Sequence, residues 1–260
     1  MNLGGKKKAP SLEVICGTDG REDAACHIGD PNAPNFGAAQ NAVARLLFQS
    51  GQFFYVCTGW LAAGSNANTL VTNNHCISTQ NEASSLQAKF GYQRSGCGTG
   101  TIGSGTDYAG GTLLKTNNKL DYTLMTLQGN PEATWGELTP TALQAGVGTL
   151  IWFIQHPGGN EKEVGYYEES SHTNRCDVEL IDRSYAGTTK KSQMAYGCDS
   201  EGGSSGSPII RATFSPSATT VRVAGLHHFG GVSSNPCRNA ATEMPEICTN
   251  AGSLLSCASN

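Results

Sequence analysis

The chain has 260 residues, enough to bury a core without outside help, and its length alone leaves one or two domains open. Only 15% of the residues are charged and the formal net charge is −4, which leaves no electrostatic footprint for nucleic acid as a partner. Gly reaches 33 residues and Ser, Thr and Asn are abundant, a mixture suited to short strands joined by many turns rather than to long helices.

In chain order, residues 1–10 carry Lys6, Lys7 and Lys8 but lack the apolar run of a signal peptide. They read as the remnant of a leader or as a solvated start, and residues 11–260 as the folded domain. No run of 18 apolar residues occurs, so no membrane partner is expected. Residues 38–48 fit a short helix or a strand, because so short an apolar run is ambiguous by period. Residues 53–61 and 69–72 read as strands paired through a turn at Gly64-Ser65-Asn66. Residues 95–111 read as loop. Residues 120–127 alternate like a strand, residues 150–154 form another closed by Pro157-Gly158-Gly159, and residues 221–226 one more. Trp60, Trp135 and Trp152 read as core. The expected class is all-β.

Ten cysteines stand at Cys16, Cys26, Cys57, Cys76, Cys97, Cys176, Cys198, Cys237, Cys248 and Cys257. The count is even, the spacing is wide and no CxxC pair occurs, so a zinc site has no support and disulfides do. Disulfides imply an oxidising compartment, hence a secreted, extracellular protein; the alternative is a cytosolic chain with buried thiols.

Gly202-Gly203-Ser204-Ser205-Gly206-Ser207-Pro208 places a serine on a glycine turn just before an apolar strand. Acyl transfer needs such a turn, because the hydroxyl must project while neighbouring N–H groups, here those of Gly203 and Ser205, converge on one point. An ordinary glycine-serine loop is the bland reading. A serine hydroxyl needs a base, and of the six histidines His75 is best held, at a strand end beside Cys76. The base needs a carboxylate to fix its tautomer. Asp121 opens an alternating strand among apolar neighbours, although it could equally cap a turn.

These residues occur in the order His, Asp, Ser, separated by 46 and 84 residues. The strings TGWLAAGSNANTLVTNNHC, LDYTLMTL and GGSSGSPII resemble the three triad segments of chymotrypsin-like serine proteases, and are most similar to the bacterial lysyl-endopeptidase branch. IQHPGG and LHHFGG add to the likeness, which covers roughly residues 16–237. The resemblance implies two six-stranded antiparallel β-barrels, the first over about 36–130 and the second over about 140–235, with His75, Asp121 and Ser205 at their junction. It implies disulfides Cys57–Cys76, Cys26–Cys97 and Cys16–Cys237, after which Cys176–Cys198 and Cys248–Cys257 remain. It further implies a serine endopeptidase acting through an acyl-enzyme, without cofactor or metal. Its partners would be protein or peptide substrates and protein inhibitors, and the chain a monomer.

Ser204 stands where trypsin keeps the aspartate that pairs with a new N-terminus, so activation cannot use that ion pair. Asn73 and Asn74 replace small residues before the histidine, a change of packing rather than chemistry. Asp199, six residues before Ser205, is where trypsin-like enzymes bind Lys or Arg, which makes cleavage after those residues the leading expectation. Asp199 could also be an exposed loop acid. His227 is the competitor, because glutamyl endopeptidases carry a histidine there to bind acidic side chains; lysyl endopeptidases also have one. His227 and His228 should face opposite sides of a strand and hold no common metal. His156 should order a turn, with His27 and His172 in loops. The alternatives are an inactive homologue acting as a binding protein and, from another class, a disulfide-rich adhesion or carbohydrate-binding module. No role is read for residues 242–260.

Overall fold

In the computed structural model the described residues are 13–214, 219–231 and 236–259, so the lysine run at residues 6–8 lies outside them. The first strand, β1 (Arg21–Asp23), joins the second half of the molecule rather than the first. A closed barrel follows, built from β2 (Val43–Ser50), β3 (Phe53–Leu61), β4 (Thr69–Thr72), β5 (Gln87–Phe90), β8 (Thr106–Asn117) and β9 (Tyr122–Leu127), in the order β2-β3-β4-β9-β8-β5. All its pairings are antiparallel. Leu46, Trp60, Leu61, Leu70, Val71, Phe90, Leu124 and Met125 are fully buried, consecutive residues among them, so both faces of these strands are covered.

The ambiguity over residues 38–48 resolves into both forms: helix α1 (Phe36–Asn41) runs directly into β2. Residues 95–111, read as loop, are mostly strand. Within them lie most of a hairpin of β6 (Arg94–Gly96) and β7 (Thr99–Ile102) and the first half of β8. The four residues of β7 are all exposed, so no side is apolar and the period-2 signal never arises; backbone pairing alone makes this strand.

The second half is a curled antiparallel sheet. It contains β10 (Ile151–Gln155), β11 (Glu163–Gly165), β12 (Val178–Arg183), β13 (Gln193–Tyr196), β14 (Pro208–Phe214), β15 (Thr219–Gly230) and β16 (Asn239–Glu243). With β1 it forms eight strands in the order β1-β11-β10-β14-β15-β16-β13-β12. The two-barrel chymotrypsin-like architecture is therefore present, the second barrel being this curled sheet. Short helix α2 (Gln80–Ser85) lies between barrel strands β4 and β5, α3 (Pro131–Trp135) between the barrel and the sheet, and α4 (Met244–Ala251) follows β16. No helix is long and apolar enough to cross a membrane among the described residues.

All five expected disulfides form: Cys16–Cys237, Cys26–Cys97, Cys57–Cys76, Cys176–Cys198 and Cys248–Cys257. Trp60 and Trp152 are core residues. His27 departs from its loop reading. It is buried between Glu22, at 2.8 Å, and Asp30, at 3.2 Å, with its ring 4.1 Å from that of Tyr166.

Candidate active site

His75 stands in the middle of the turn that follows β4, and Cys76 beside it is tied to Cys57 in β3. The backbone N–H of His75 donates to Asp121 Oδ1 at 2.9 Å, and its ring Nδ1 lies 2.7 Å from Asp121 Oδ2. Both carboxylate oxygens are thus directed at one residue, which fixes the ring as well as the backbone carrying it. Burial draws the His75 imidazole down, but the charge and hydrogen bond of Asp121 outweigh it and leave the ring above its ordinary value. Burial likewise pushes Asp121 up, yet the charge of His75 and the bonds from His228 and His75 hold it well below the usual carboxylate range.

Asp121 has a φ of 47°, a left-handed backbone uncommon outside glycine. Four neighbours hold that conformation. Asn73 Nδ2 donates to the Asp121 carbonyl at 2.8 Å, and Thr242 Oγ1 donates to the Leu120 carbonyl at 2.8 Å. Asn117 Oδ1, not Asp121, caps the turn, accepting from the N–H groups of Lys119 and Leu120. Asn250 in α4 accepts from Asn117 Nδ2 at 3.1 Å and from the Tyr122 hydroxyl at 2.6 Å. One expectation is corrected here: Asn73 is fully buried and bonds the Asp121 carbonyl rather than merely altering packing. Thr242 and Asn250, in the stretch for which no role was read, bond the turn that carries Asp121.

His228 also contacts Asp121, which sequence reasoning missed. Its Nδ1 lies 3.2 Å from Asp121 Oδ2 and its Nε2 lies 2.6 Å from Gln193 Oε1. The two adjacent histidines reach different groups, as neighbours on a strand should, and the pairing of β15 with β16 shifts between His227 and Phe229. No residue spacing could have announced it. His227 is fully buried, with Nδ1 2.6 Å from the Tyr196 hydroxyl.

Ser205 docks on the barrel through its backbone. Thr58 N–H donates to the Ser205 carbonyl at 2.8 Å, Thr58 Oγ1 to the Gly203 carbonyl at 2.9 Å, and Gly206 N–H to the His227 carbonyl at 2.9 Å. Thr58 follows Cys57, whose sulfur partner follows His75, so Ser205 meets the His75 segment where the two halves join. Gly203 and Gly206 have φ of 107° and 91°. A Cβ on Gly206 would lie 2.1 Å from the Thr58 carbonyl oxygen, so only glycine permits this approach. Ser204 is fully buried and its hydroxyl donates to Gln155 Oε1 at 2.5 Å.

The Ser205 hydroxyl donates to Glu13 Oε1, at 2.6 Å. Glu13 drew no attention in the sequence. Asp199 is buried and its two oxygens accept from the backbone N–H groups of Cys16, at 2.9 Å, and Gly20, at 2.8 Å. Burial pushes its carboxyl up, partly offset by those bonds. His156 orders the turn at Pro157 through Asn160, and His172 stacks on Tyr167. Cys57, His75 and Cys76 lie within 4.8 Å of one another, but both sulfurs are in a disulfide and only the imidazole remains as a possible metal ligand.

The model of the lysyl endopeptidase C-terminal domain matches residues 18–243. A secreted RxLR effector protein (number 73) of Plasmopara viticola is 34% identical over 236 residues, which is 89% of this chain but only 53% of that protein. The chain thus spans about half the length of this curated relative. Among solved structures, a Glu endopeptidase in complex with MPD superposes with a TM-score of 0.58 at 18% identity, covering 91% of this chain and 96% of that one. The active form of the Rv3671c protease of M. tuberculosis gives 0.59 at 14% identity, covering 100% and 97%. At these identities the likeness is one of fold.

Proposed function

The chain belongs to the lysyl endopeptidase C-terminal domain family, and from that premise we propose that it is a secreted serine endopeptidase with His75, Asp121 and Ser205 as its triad. The observation that carries the reading is the two-point grip of Asp121 on His75, through Oδ1 to the backbone and Oδ2 to Nδ1. That grip leaves Nε2 as the ring nitrogen free to take a proton.

Ser205 Oγ attacks the peptide carbonyl while His75 Nε2 accepts its proton. The N–H groups of Gly203 and Ser205 hold the oxyanion, and His75 then protonates the leaving amine. Water, deprotonated by the same ring, hydrolyses the acyl-enzyme. Asp121 stays ionised throughout and stabilises the imidazolium; Asn73 and His228 position Asp121. Protein or peptide chains are the substrates and protein inhibitors the further partners, of a monomer. Five disulfides fit an oxidising compartment, and the Plasmopara relative is itself described as secreted. Cleavage after Lys or Arg needs an acid open to the pocket, and both oxygens of Asp199 are already taken by backbone N–H groups.

The second reading is a binding protein without catalysis. It is favoured by the Glu13 contact, which occupies the Ser205 hydroxyl, and by a relative described as an effector. Intact-mass analysis after a fluorophosphonate probe, run beside Ser205→Ala, separates the two. One adduct on the parent and none on the variant supports the protease. No adduct on either, with both folded and oxidised, hands the lead to the binding protein.

A further inference from the structure

A basic cleft opens at the edge of the curled sheet. Its volume is about 670 Å³, and Leu180, Asp182, Arg183, Tyr185, Lys191 and Arg238 line it together with small residues. Three cations thus meet one carboxylate in a chain whose formal net charge is −4, so the local balance runs against that of the whole molecule.

The acids nearby are already engaged. Glu179 Oε2 accepts from Arg238 Nε at 2.5 Å, and Asp182 Oδ1 accepts from Gln144 Nε2 at 3.2 Å. Arg183 and Lys191 are exposed and have no ion-pair partner among the described residues. Leu180 and Tyr185 supply an apolar wall, packing with Phe229 on Ala195 and Ala240. The Tyr185 hydroxyl is buried without a hydrogen-bond partner. Burial pushes this phenol up while the charges of Arg183 and Arg238 draw it down, so both guanidinium groups act on the same wall.

The cleft is held open by its own loop. Tyr185 N–H donates to Thr188 Oγ1 at 3.1 Å, Thr188 N–H returns to the Tyr185 carbonyl at 3.1 Å, and Lys191 N–H donates to Ser184 Oγ at 2.9 Å. The same loop adjoins the proposed triad. Arg183 pairs with Gln193 across β12 and β13, Gln193 Oε1 lies 2.6 Å from His228 Nε2, and His228 contacts Asp121. Thr189 N–H donates to the carbonyl of Lys119, two residues before Asp121, at 2.9 Å. Three strand spacings separate β12 from β15, at most about 15 Å, which an extended chain covers in about five residues.

The layout of the cations decides what fits. Arg183 ends β12, while Lys191 and Arg238 stand just before β13 and β16. Charges carried on separate elements suit carboxylates spaced along a chain, each held by a charge-assisted hydrogen bond. β12 is the last strand of its sheet, so no further strand lies along its outer side.

We propose that this cleft is an exosite for an acidic stretch of the protein substrate, with Arg183 and Lys191 as the open cations that bind its carboxylates. The proposal rests on the reading of the chain as an endopeptidase. It adds a second point of recognition, several residues away from the bond that is cut.

The test uses the full, oxidised chain carrying Ser205→Ala, so that binding is read without cleavage. The probes are a fluorescein-labelled peptide with Glu residues spaced by Gly and the same peptide with Gln in place of Glu, titrated by fluorescence anisotropy. The Glu peptide should bind at least about tenfold more tightly, and added salt should shrink the difference. Arg183→Gln combined with Lys191→Gln should bring the ratio below about threefold, whereas Arg183→Lys, which keeps the charge, should retain most of it. With Ser205 restored, the double variant should show a raised KM on a protein substrate that carries an acidic stretch. Equal binding of the two peptides, or an unchanged preference in a folded double variant, overturns the exosite. Charge-dependent binding in a chain that fluorophosphonate never labels upholds the cleft but overturns the reading of its occupant as a substrate.

Discussion

His228 Nδ1 lies 3.2 Å from Asp121 Oδ2, the same oxygen that takes the His75 ring at 2.7 Å. Burial draws His228 below its ordinary value despite the bond and charge of Asp121, and its two ring nitrogens face acceptors on either side, Asp121 Oδ2 and Gln193 Oε1. A base must be neutral to act, and Asp121 holds the His75 ring above its ordinary value against the pull of burial, so activity should fall as pH drops through that raised value. His228→Ala frees the shared oxygen to hold the His75 imidazolium more tightly. We expect kcat to fall by roughly 10- to 100-fold, KM to change little, and the acid limb of kcat/KM to move to higher pH. A rise in KM with an unmoved limb would instead make His228 a wall of the substrate site.

Asn73 acts on the same carboxylate from the backbone side. Its amide donates to the carbonyl of a residue held at φ 47°, and the side chain is fully buried. Removing the donor leaves a left-handed aspartate less tightly held. Asn73→Ala should cost about 1–2 kcal/mol in chemical denaturation and lower kcat/KM by around tenfold. Asn73→Asp has the same shape but no N–H to donate, so it should not restore either quantity. Full activity in the Asp variant would show that volume, not the hydrogen bond, matters at this position.

The proposed site was read from local patterns, because acyl-transfer chemistry needs particular residues within short stretches. A glycine-flanked serine, a histidine beside a cysteine and an acid at a strand start are each written within a few consecutive residues. Strands 53–61 and 69–72 were equally legible, since their apolar runs end in turn residues and are buried at positions 57–61 and throughout 69–72. What stayed hidden depends on long-range contact. Glu13 reaches Ser205 across 192 residues of chain, and His228 reaches Asp121 across 107. β7 stayed hidden for the opposite reason: its side chains touch no core, so composition carried no trace of its pairing.

Lys162 offers a pH signature separate from catalysis. It is fully buried, its ammonium 2.5 Å from the Gln40 carbonyl and 3.3 Å from Gln93 Oε1, and burial pulls it down to about 7. The unfolded chain therefore binds more protons than the folded one between about pH 7 and the ordinary lysine value near 10.4. By linkage, stability from this group should rise as pH increases through that window, with a slope of up to about 1.4 kcal/mol per pH unit, and should level off below it. Denaturant unfolding of the parent and Lys162→Met at pH 7 and pH 9 checks this. The variant should lose most of the rise between the two values; equal rises would place the effect in other groups.

Three glycines of the nucleophile loop should rank by what a methyl group would strike. Gly202 has no atom within 4 Å of a built Cβ and no positive φ, so Gly202→Ala should change stability by less than about 0.5 kcal/mol. At Gly203 the Cβ would lie 2.8 Å from the His156 carbonyl oxygen at a φ of 107°. At Gly206 it would lie 2.1 Å from the Thr58 carbonyl oxygen and 2.6 Å from Thr72 Oγ1, atoms of the two strands that lead to Cys57 and His75. Relief at Gly206 must lift the loop off β3, breaking the Thr58-to-Ser205 bond that places the nucleophile. Gly206→Ala should therefore destabilise by roughly 3 kcal/mol or more and abolish fluorophosphonate labelling even where the variant remains folded. Gly203→Ala should fall between the other two in stability. Thermal unfolding with labelling of the same samples tests the ranking, and a Gly206→Ala protein that labels at the parent rate would mean that the loop docks without that close approach.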